Sequence, residues 1–477
     1  MALRRIAFGA ATLSAARIFQ LASSFVAIPF LARILTPTDF GLVALAMSMV
    51  MFFTYFADAG LGRSLVRIDA ADKEAWSTGH WAVVMMGFAM ALVLYAIAEP
   101  AGRLLDEPRV APLLRVLAAA PILLSFVEIP AATLLQRERF HWLAGGEFFG
   151  AIAGIIVALS VALAGGGAWA LIWQQLTQRI VKLLVIWPAS RFAPRLVFKP
   201  RRLLEHLRFA RDTVGWSLMT WISRQADTMI VGKFLGAATL GLYNIAVRVM
   251  QLPVNIFGAS LNNALYPRLV RLREDHASLR EIVMSATLAQ AAFVFPPIAA
   301  IAASSDAFFK LLLSERWQGA DIIFTLLAPA AAIQTIVILN GSLLQAVQRT
   351  GTRLQLTMEL ALLWTLSALI ASQISIEAVA LGCTIVTLLY LPRLLHLYLS
   401  PIGATALQFL RTLIAPTLMA LAVFGAHHLL MGWLQLDAWP EIGFAVLETL
   451  VAYALLGLFG RKVVREKLRL AAEIFES

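Results

Sequence analysis

Long apolar segments follow one another along almost the whole chain, separated by short polar connections. About 20 apolar residues in a helix cross a bilayer core about 30 Å thick, so each segment predicts one membrane-spanning helix. The pattern gives about fourteen spans, which we number in chain order. Their boundaries are 11–34, 40–62, 76–98, 111–135, 143–164, 168–189, 213–235, 241–265, 282–304, 319–344, 354–374, 378–399, 408–431 and 441–460.

The composition agrees with a membrane protein whose structure is all α-helical. Hydrophobic residues make up 60% of the 477 residues and charged residues only 14%, whereas soluble domains average about 45–50% and about 25%. So few charges cannot cover the surface of a soluble chain of this length. Soluble enzymes, nucleic-acid binders and secreted disulfide scaffolds are therefore excluded as classes.

Motifs for bound metals or nucleotides are missing from the sequence. The single cysteine, Cys383, allows no intrachain disulfide and no site with several thiolates. Neither a His-Glu-x-x-His spacing nor a Walker A pattern occurs. We therefore predict no metal, no cofactor and no ATP hydrolysis by a P-loop, so the protein is not expected to be an enzyme.

The net charge of +11 is unevenly distributed and orients the chain. With the N-terminus in the cytoplasm, most Lys and Arg residues fall in the connections and tails on the cytoplasmic side, as the positive-inside rule requires. The longest polar stretch, residues 190–212, is basic and lies on that side. We therefore expect both termini in the cytoplasm, only short connections outside, and no nucleic-acid partner.

The two halves of the chain are similar to each other at a shift of 200 residues. Leu31–Leu35 aligns with Val231–Leu235, and Phe40–Ala46 aligns with Leu240–Ala246. Chance similarity between apolar helices is the alternative, but a cation and a glycine at the same offsets favour duplication. Six spans separate the copies, so the repeat is parallel, as in many transporters. The predicted parts are an N-lobe with spans 1–6 (1–200), a C-lobe with spans 7–12 (201–400), and spans 13–14 with a cytoplasmic amphipathic tail (401–477).

Polar residues form stripes along three of the apolar spans. A polar side chain is costly in lipid, so such residues usually face a cavity or another helix. At 100° per residue the polar positions of span 8 fall on one narrow face. The predicted cavity residues are Arg17 and Gln20 of span 1, Arg224 and Asp227 of span 7, and Asn244, Arg248, Gln251 and Asn255 of span 8.

The arginines in these stripes predict an anionic ligand, because guanidinium groups bind phosphate oxygens in pairs. A phosphate or diphosphate is therefore the expected ligand. Two alternatives remain open at this point. Arg224 and Asp227 can simply neutralise each other within one helix, and Arg17 and Arg248 can extend their charged ends to the membrane surface. Arg33 and Lys233 lie at the outer helix ends. They either contact the anion or a gate there, or they extend their charged ends to the membrane surface in the same way.

Several short segments resemble the Wzx-like polysaccharide biosynthesis flippases of the MATE-type MOP superfamily, most closely the subgroup for lipopolysaccharide and exopolysaccharide export. The resemblance covers most of the chain and is strongest in residues 12–70 and 225–270. It is carried by LARILTPTDFGL at 31–42, GAWAL at 167–171, DTMIVGKFLG at 227–236, LGLY at 240–243 and YPRL at 266–269.

The resemblance implies a flippase in the bacterial inner membrane. Such proteins move an undecaprenyl-diphosphate-linked oligosaccharide from the cytoplasmic to the periplasmic leaflet by alternating access through a central cationic cavity. Polysaccharide polymerase and export machinery are the implied protein partners. A lipid II flippase or a multidrug antiporter of the same fold is an alternative, and a membrane glycan polymerase or ligase is an alternative of another class. Span 2 departs from the family pattern because it carries no cation at mid-membrane depth.

Overall fold

The structure, a computed structural model, describes residues 26–58, 72–199, 204–253, 259–434 and 437–459, together with five separate residues of the first span (12, 16, 19, 20 and 23). All regular secondary structure in these ranges is helical. The fifteen α-helices with defined bounds are α1 (Pro37–Asp58), α2 (Lys73–Leu104), α3 (Val110–Leu117), α4 (Ala119–Gln136), α5 (Phe140–Leu163), α6 (Trp169–Ser190), α7 (Leu204–Pro253), α8 (Ala259–Arg271), α9 (His276–Ala303), α10 (Ser305–Leu312), α11 (Ala320–Ala346), α12 (Thr350–Ala371), α13 (Ile376–Leu399), α14 (Ala406–Leu434) and α15 (Ala438–Phe459).

The described residues contain eleven helices that are long and apolar enough to cross a membrane. The protein is thus a multi-pass membrane protein, and about fourteen spans stays a prediction. One of the eleven, residues 217–251, covers most of predicted span 7 and the first part of predicted span 8. α6 covers predicted span 6, but its glutamines and cations make it too polar for this count. Of predicted span 1, most of the residues between 11 and 25 lie outside the described residues, and residues 26–34 are described.

The chain folds as two compact units, Met1–Gly241 and Leu242–Ser477. In the first unit α5 packs along α6, and α4 packs against both α2 and α6. In the second unit α9 packs along α14 and α11, and α13 packs on α11 and α12. The unit boundary lies within α7, whereas the predicted lobe boundary at residues 200–201 stays a prediction.

The start of α1 is set by its own sequence. Thr36 precedes the helix and Pro37 is its first residue, where a missing N–H costs nothing. The Oδ2 of Asp39 accepts hydrogen bonds from the backbone N–H of Thr36 (2.8 Å) and from its hydroxyl (2.7 Å). The N–H of Asp39 in turn donates to the Thr36 hydroxyl oxygen at 3.3 Å. This reciprocal cap fixes the turn between the helix that ends near residue 34 and α1.

Two glycines 200 residues apart make reciprocal contacts inside the first unit. A methyl group at Gly41 would overlap the carbonyl oxygen of Ala237, and one at Gly241 would overlap the carbonyl oxygen of Pro37. Residues 37 and 237 are themselves equivalent in the repeat. An approximate twofold relation between two copies produces this exchange of partners. The contact therefore supports the duplication that the sequence predicts.

Candidate functional site

The helix α7 is broken at Gly236, and the break separates the two stripes of predicted cavity residues. Gly236 has φ 82° and ψ 169°, a conformation that a residue with a side chain rarely adopts. We call residues 204–235 α7N and residues 237–253 α7C. Arg224 and Asp227 lie on α7N, and Asn244, Arg248 and Gln251 lie on α7C.

The polar stripe of α7C is the outward face of that helix. Between residues 242 and 251 the only exposed residues are Arg248 and Gln251. Asn244 lies on the same face, within about 60° of both. The buried neighbours are apolar and include Ile245, Ala246, Val249 and Met250. A helix of a membrane protein that faced lipid would show the opposite arrangement, so this face meets water or a polar ligand.

One atom on this face lacks the partner that its chemistry requires. The side-chain oxygen Oδ1 of Asn244 is buried and accepts no hydrogen bond within the described part of the chain. A buried acceptor without a donor costs about 1–3 kcal/mol of folding free energy. An amide oxygen left open in this way can accept a hydrogen bond from a hydroxyl or a water. The position thus suits a ligand rich in hydroxyl groups.

α7N packs on α1 through a polar contact that the sequence analysis missed. The indole N–H of Trp221 donates to the carbonyl oxygen of Ser48 at 2.7 Å, and the hydroxyl of Ser48 donates to the side-chain oxygen of Gln225 at 2.7 Å. Arg224 lies about 80° around the helix from the middle of this contact face and its side chain is exposed. Sequence signals for the contact existed in Ser48 and Gln225, two polar residues within apolar spans.

The carboxylate of Asp227 is bound within its own helix. It accepts a hydrogen bond from the backbone N–H of Thr228 at 2.7 Å. Arg224 and Asp227, both of which the structure describes, are not joined by a direct ion pair. The alternative in which the two residues neutralise each other within one helix stays a prediction. Asp227 also makes a further interaction.

The predicted residues of span 1 are described only in part. Gln20 is half-buried and helical, and its carbonyl oxygen accepts a hydrogen bond from the Ser23 hydroxyl at 3.0 Å. Arg17 lies outside the described residues, and so does Asn255 of span 8. The contributions of Arg17 and Asn255 to the site stay predictions.

The two cations at the predicted outer helix ends differ in their surroundings. Lys233 forms an ion pair with Asp106, which lies in the connection between α2 and α3. Asp106 adopts a left-handed conformation with φ 53°. Arg33 is exposed and has an interaction of its own. Lys233 is thus bound to a carboxylate of the first unit in this structure, and an anionic ligand would compete with Asp106 for it.

A second polar stripe, on α6, was also missed by the sequence analysis. Gln175, Gln178, Arg179 and Lys182 fall within about 100° of one another around this helix. Arg179 lies at its middle, and its guanidinium donates to the carbonyl oxygen (3.0 Å) and the side-chain oxygen (3.1 Å) of Gln175. Lys182 pairs with Glu147 of α5 at 2.6 Å. The glutamine-rich spacing of span 6 was a readable signal for this stripe.

These residues can bind an anion and a polyol, but no reactive centre is visible among them. Their groups are guanidiniums and amides, which hold phosphate oxygens and hydroxyls without breaking bonds. Within the described ranges no group of three or more His, Cys, Asp and Glu residues could hold a metal ion. The geometry therefore suits binding and transfer of an intact polar ligand.

Comparison with known proteins gives a family match over most of the chain. Residues 30–321 match the family described as "Polysaccharide biosynthesis protein". The succinoglycan biosynthesis transport protein ExoT of Rhizobium meliloti (strain 1021) is 29% identical over 311 residues, which are 65% of this chain and 63% of ExoT. The chain therefore matches somewhat less than two thirds of the length of that relative.

A second relative and one solved structure extend the comparison. The lipopolysaccharide biosynthesis protein WzxC of Escherichia coli (strain K12) is 24% identical over 357 residues, 73% of this chain and 72% of WzxC. The lipid II flippase MurJ in an inward closed conformation superposes with a TM-score of 0.78 and 14% identity, covering 95% of this chain and 99% of MurJ. At this identity the similarity to MurJ shows the fold alone.

Proposed function

Because this chain belongs to the polysaccharide biosynthesis protein family, we propose that it is a flippase for an undecaprenyl-diphosphate-linked oligosaccharide in surface polysaccharide biosynthesis. The family and the MurJ-like fold are those of transporters and not of enzymes. The proposed transport moves the lipid-linked glycan from the cytoplasmic to the periplasmic leaflet. The names of the relatives, a succinoglycan transport protein and a lipopolysaccharide biosynthesis protein, support this class of cargo.

The observation that carries the proposal is the exposed polar face of α7C. Arg248 and Gln251 are exposed, whereas the neighbouring Ile245, Ala246, Val249 and Met250 of the helix are buried. A membrane helix arranged in this way lines a water-filled path, and a path is what a headgroup needs to cross the bilayer core. The lipid tail can stay in the bilayer while the diphosphate and the sugars follow this face.

Each predicted cavity residue then has a role set by its chemistry. Arg224 and Arg248 bind the diphosphate, with Arg17 as a third cation. Gln20, Asn244, Gln251 and Asn255 bind sugar hydroxyls through their amides. Asp227 modulates the charge near Arg224, and Arg33 and Lys233 contact the anion at the exit. Lys233 takes this role by exchanging Asp106 for the passing headgroup.

The orientation and the location are further parts of the proposal. The positive-inside pattern supports both termini in the cytoplasm, and the cargo places the protein in the bacterial inner membrane. Under this topology the reciprocal contact of Gly41 and Gly241 lies toward the periplasm. Alternating access then requires that contact to open when the glycan leaves. Polymerase and export machinery act on the glycan once it has reached the periplasmic leaflet.

Deletion of the gene tests the proposal. We expect polyprenyl-linked oligosaccharide to accumulate in the cytoplasmic leaflet, as measured by leaflet-resolved lipid analysis, and surface polysaccharide to disappear. Accumulation of lipid II instead would show a lipid II flippase, and unchanged lipids with altered drug efflux would show a multidrug antiporter. Unpolymerised glycan already in the periplasmic leaflet would show a polymerase or ligase. Any of these three results would contradict the proposal.

A further inference from the structure

A buried histidine joins the last two helices, away from the residues assigned above. The side chain of His427, on α14, is 1% exposed. Its Nδ1 lies 2.9 Å from Oε2 of Glu448, and its Nε2 lies 3.4 Å from Oε1 of Glu441. Both carboxylates belong to α15, seven residues apart and therefore on one face of that helix. We call His427, Glu441 and Glu448 the C-terminal triad.

The hydrogen bonds of the C-terminal triad require an extra proton. An ionised carboxylate only accepts hydrogen bonds, and a neutral imidazole carries one N–H. Two nitrogen–carboxylate hydrogen bonds therefore need one proton more than a neutral histidine and two carboxylates supply. With that proton on the imidazole or on a carboxyl group, the triad has a net charge of −1.

A second proton has a defined place on Glu448. The glutamate side chain is 10% exposed, and its Oε1 is buried with no hydrogen-bond partner within the described part of the chain. A buried carboxylate oxygen without a donor is costly, and protonation of that oxygen removes the charge. Adding a proton there makes the whole triad neutral, so the two protonation states of the triad have net charges of −1 and 0. Protons of such closely coupled groups belong to the cluster and not to one residue.

The helices packed around the triad bring few other charges to it. On α14 the ring of His428 is centred 6.2 Å from that of His427, and on α15 the Tyr453 hydroxyl donates to the carbonyl oxygen of Phe293 at 2.7 Å. α10, which packs on α15, carries Asp306 and Lys310, and these bind each other at 2.7 Å.

The two remaining neighbours, α9 and α13, present no charge to the triad. α9 packs on α14 and α15 through Ala300, in an apolar cluster with Val423, Ala445 and Ala452. The ionisable residues of α9 lie in its first two turns. α13 packs in a cluster with Phe409, near the start of α14, and His427 is about 27 Å farther along that helix. The triad is therefore an isolated polar cluster within apolar surroundings.

We propose that His427, Glu441 and Glu448 form a proton-binding site in the C-terminal helix pair, filled from the helix end at which Glu441 lies. Glu441 is in the first turn of α15 and its side chain is 21% exposed, whereas His427 and Glu448 lie deeper. A proton passes from water to Glu441, then to His427 and then to Glu448, and it returns by the reverse path. The three residues thus form both the entrance and the binding site.

The site also extends the proposed function, and this extension rests on that function. Under the proposed topology Glu441 faces the periplasm, so the triad takes up protons from that side. The proton is then the ion through which the transport cycle uses the membrane gradient. No ion pair or hydrogen bond in the described residues links the triad to Arg248, so the coupling acts through movement of the helix pair.

A carboxyl-specific reagent tests the site without any glycan. Dicyclohexylcarbodiimide adds to protonated carboxyl groups in apolar surroundings, and the full-length protein in proteoliposomes can be labelled across a pH series. Mass spectrometry of peptides then locates the adduct. We expect Glu448 to be labelled, and we expect the labelling to decrease as the pH of the series rises. Absence of label at every pH, or labelling that does not depend on pH, would overturn the proposal.

Glu359 of α12 provides a comparison carboxylate in another helix that is long and apolar enough to cross the membrane. It accepts two hydrogen bonds from Arg393 (2.6 and 2.7 Å) and one from the Tyr390 hydroxyl (2.6 Å). These donors keep it ionised, so we expect no label on Glu359 under conditions that label Glu448. Equal labelling of both glutamates would mean that the reagent does not distinguish a protonated carboxyl group from an ionised one, and would overturn the proposal.

The variant His427→Gln tests whether the three residues act as one site. Removing the imidazole removes a partner that supports the ionised form of Glu448, so labelling should persist to higher pH. An unchanged pH midpoint in a folded variant would show that Glu448 titrates alone, and the triad would be wrong. Labelling and transport can fail separately. A protein labelled as expected that carries no glycan refutes the flippase, and a working flippase without label refutes the proton site.

Discussion

The helix segment α7C and the helix α12 expose opposite kinds of residue. From Met358 to Ile370, the exposed residues of α12 are all apolar, and Leu362 is 60% and Ile370 70% exposed. Between residues 242 and 251 of α7C the exposed residues are Arg248 and Gln251, and the apolar residues there are buried or half-buried. The apolar surface of α12 is stable against lipid, whereas exposing the polar surface of α7C to lipid would be energetically costly. An exposed residue of a membrane protein can thus face either lipid or water. Its polarity indicates which of the two it faces.

Substitution of Arg248 should have the largest effect, because a charged contact to a diphosphate is lost. A hydrogen bond to a charged group is worth about 1.5–3 kcal/mol, so Arg248→Ala should lower glycan export about 10- to 100-fold. Arg248→Lys should retain part of the activity, since it keeps the charge and loses the paired geometry. Surface polysaccharide and leaflet-resolved lipid intermediates measure both variants.

Two further variants accompany Arg248→Ala. Arg224→Ala should act in the same direction, because its side chain is also exposed beside the α1 contact. Arg273→Ala is the matched control, since Arg273 lies in the connection between α8 and α9 and contacts Glu274. Normal export in both Arg248→Ala and Arg224→Ala would contradict the assignment of a cationic path.

An exchange of polarity between the two helices should have the next largest effect. Arginine at the centre of a lipid-facing helix costs about 2.5–3.5 kcal/mol on insertion scales. Leu366→Arg on α12 should therefore reduce the amount of protein inserted in the membrane, measured by quantitative fractionation. Gln251→Leu on α7C should insert normally and transport less glycan. Poor insertion of Gln251→Leu together with normal insertion of Leu366→Arg would reverse the interpretation of the two faces.

The start of α7C is in close contact with the backbone at the start of α1. Disrupting this contact should have a smaller effect than the substitution of Arg248 or the exchange of polarity. A methyl group at Gly41 or Gly241 overlaps a carbonyl oxygen, so Gly41→Ala and Gly241→Ala force the backbones apart. Overpacking of this kind costs about 1–3 kcal/mol. We expect a lower midpoint of thermal unfolding for both variants in detergent. Gly425→Ala, where a methyl group meets open space, is the control and should not lower it.

The fold and the main stripe could be predicted from the sequence because both depend on local patterns. The length of each apolar segment gives a span, and the 100° step per residue gives the face shared by Asn244, Arg248 and Gln251. The all-α polytopic fold and the family resemblance are confirmed by the family match and the MurJ-like structure. The alignment of residues 40–46 with 240–246 places Gly41 and Gly241 at equivalent positions, and the structure adds the contacts that they exchange.

The interactions that the sequence could not reveal join residues far apart in the chain. Ser48 is hydrogen-bonded to Gln225, at a separation of 177 residues in the chain. Lys233 forms an ion pair with Asp106, at a separation of 127 residues. His427 is placed by two carboxylates on the next helix, and nothing in its own segment signals them. Arg224 and Asp227 have the spacing of an ion pair and do not form one, because spacing shows which residues can meet and packing decides which do.

The most direct test of the central claim is the chemical reactivity of cysteines placed on the two exposed faces. Cys383 is buried and is the single cysteine, so Cys383→Ser gives a background for Gln251→Cys and Leu362→Cys. A charged thiol reagent present on both sides of proteoliposomes reacts with the thiolate, which forms in water and not in lipid. We expect Gln251→Cys to react at least about tenfold faster than Leu362→Cys. Equal rates, or faster reaction at position 362, would contradict it.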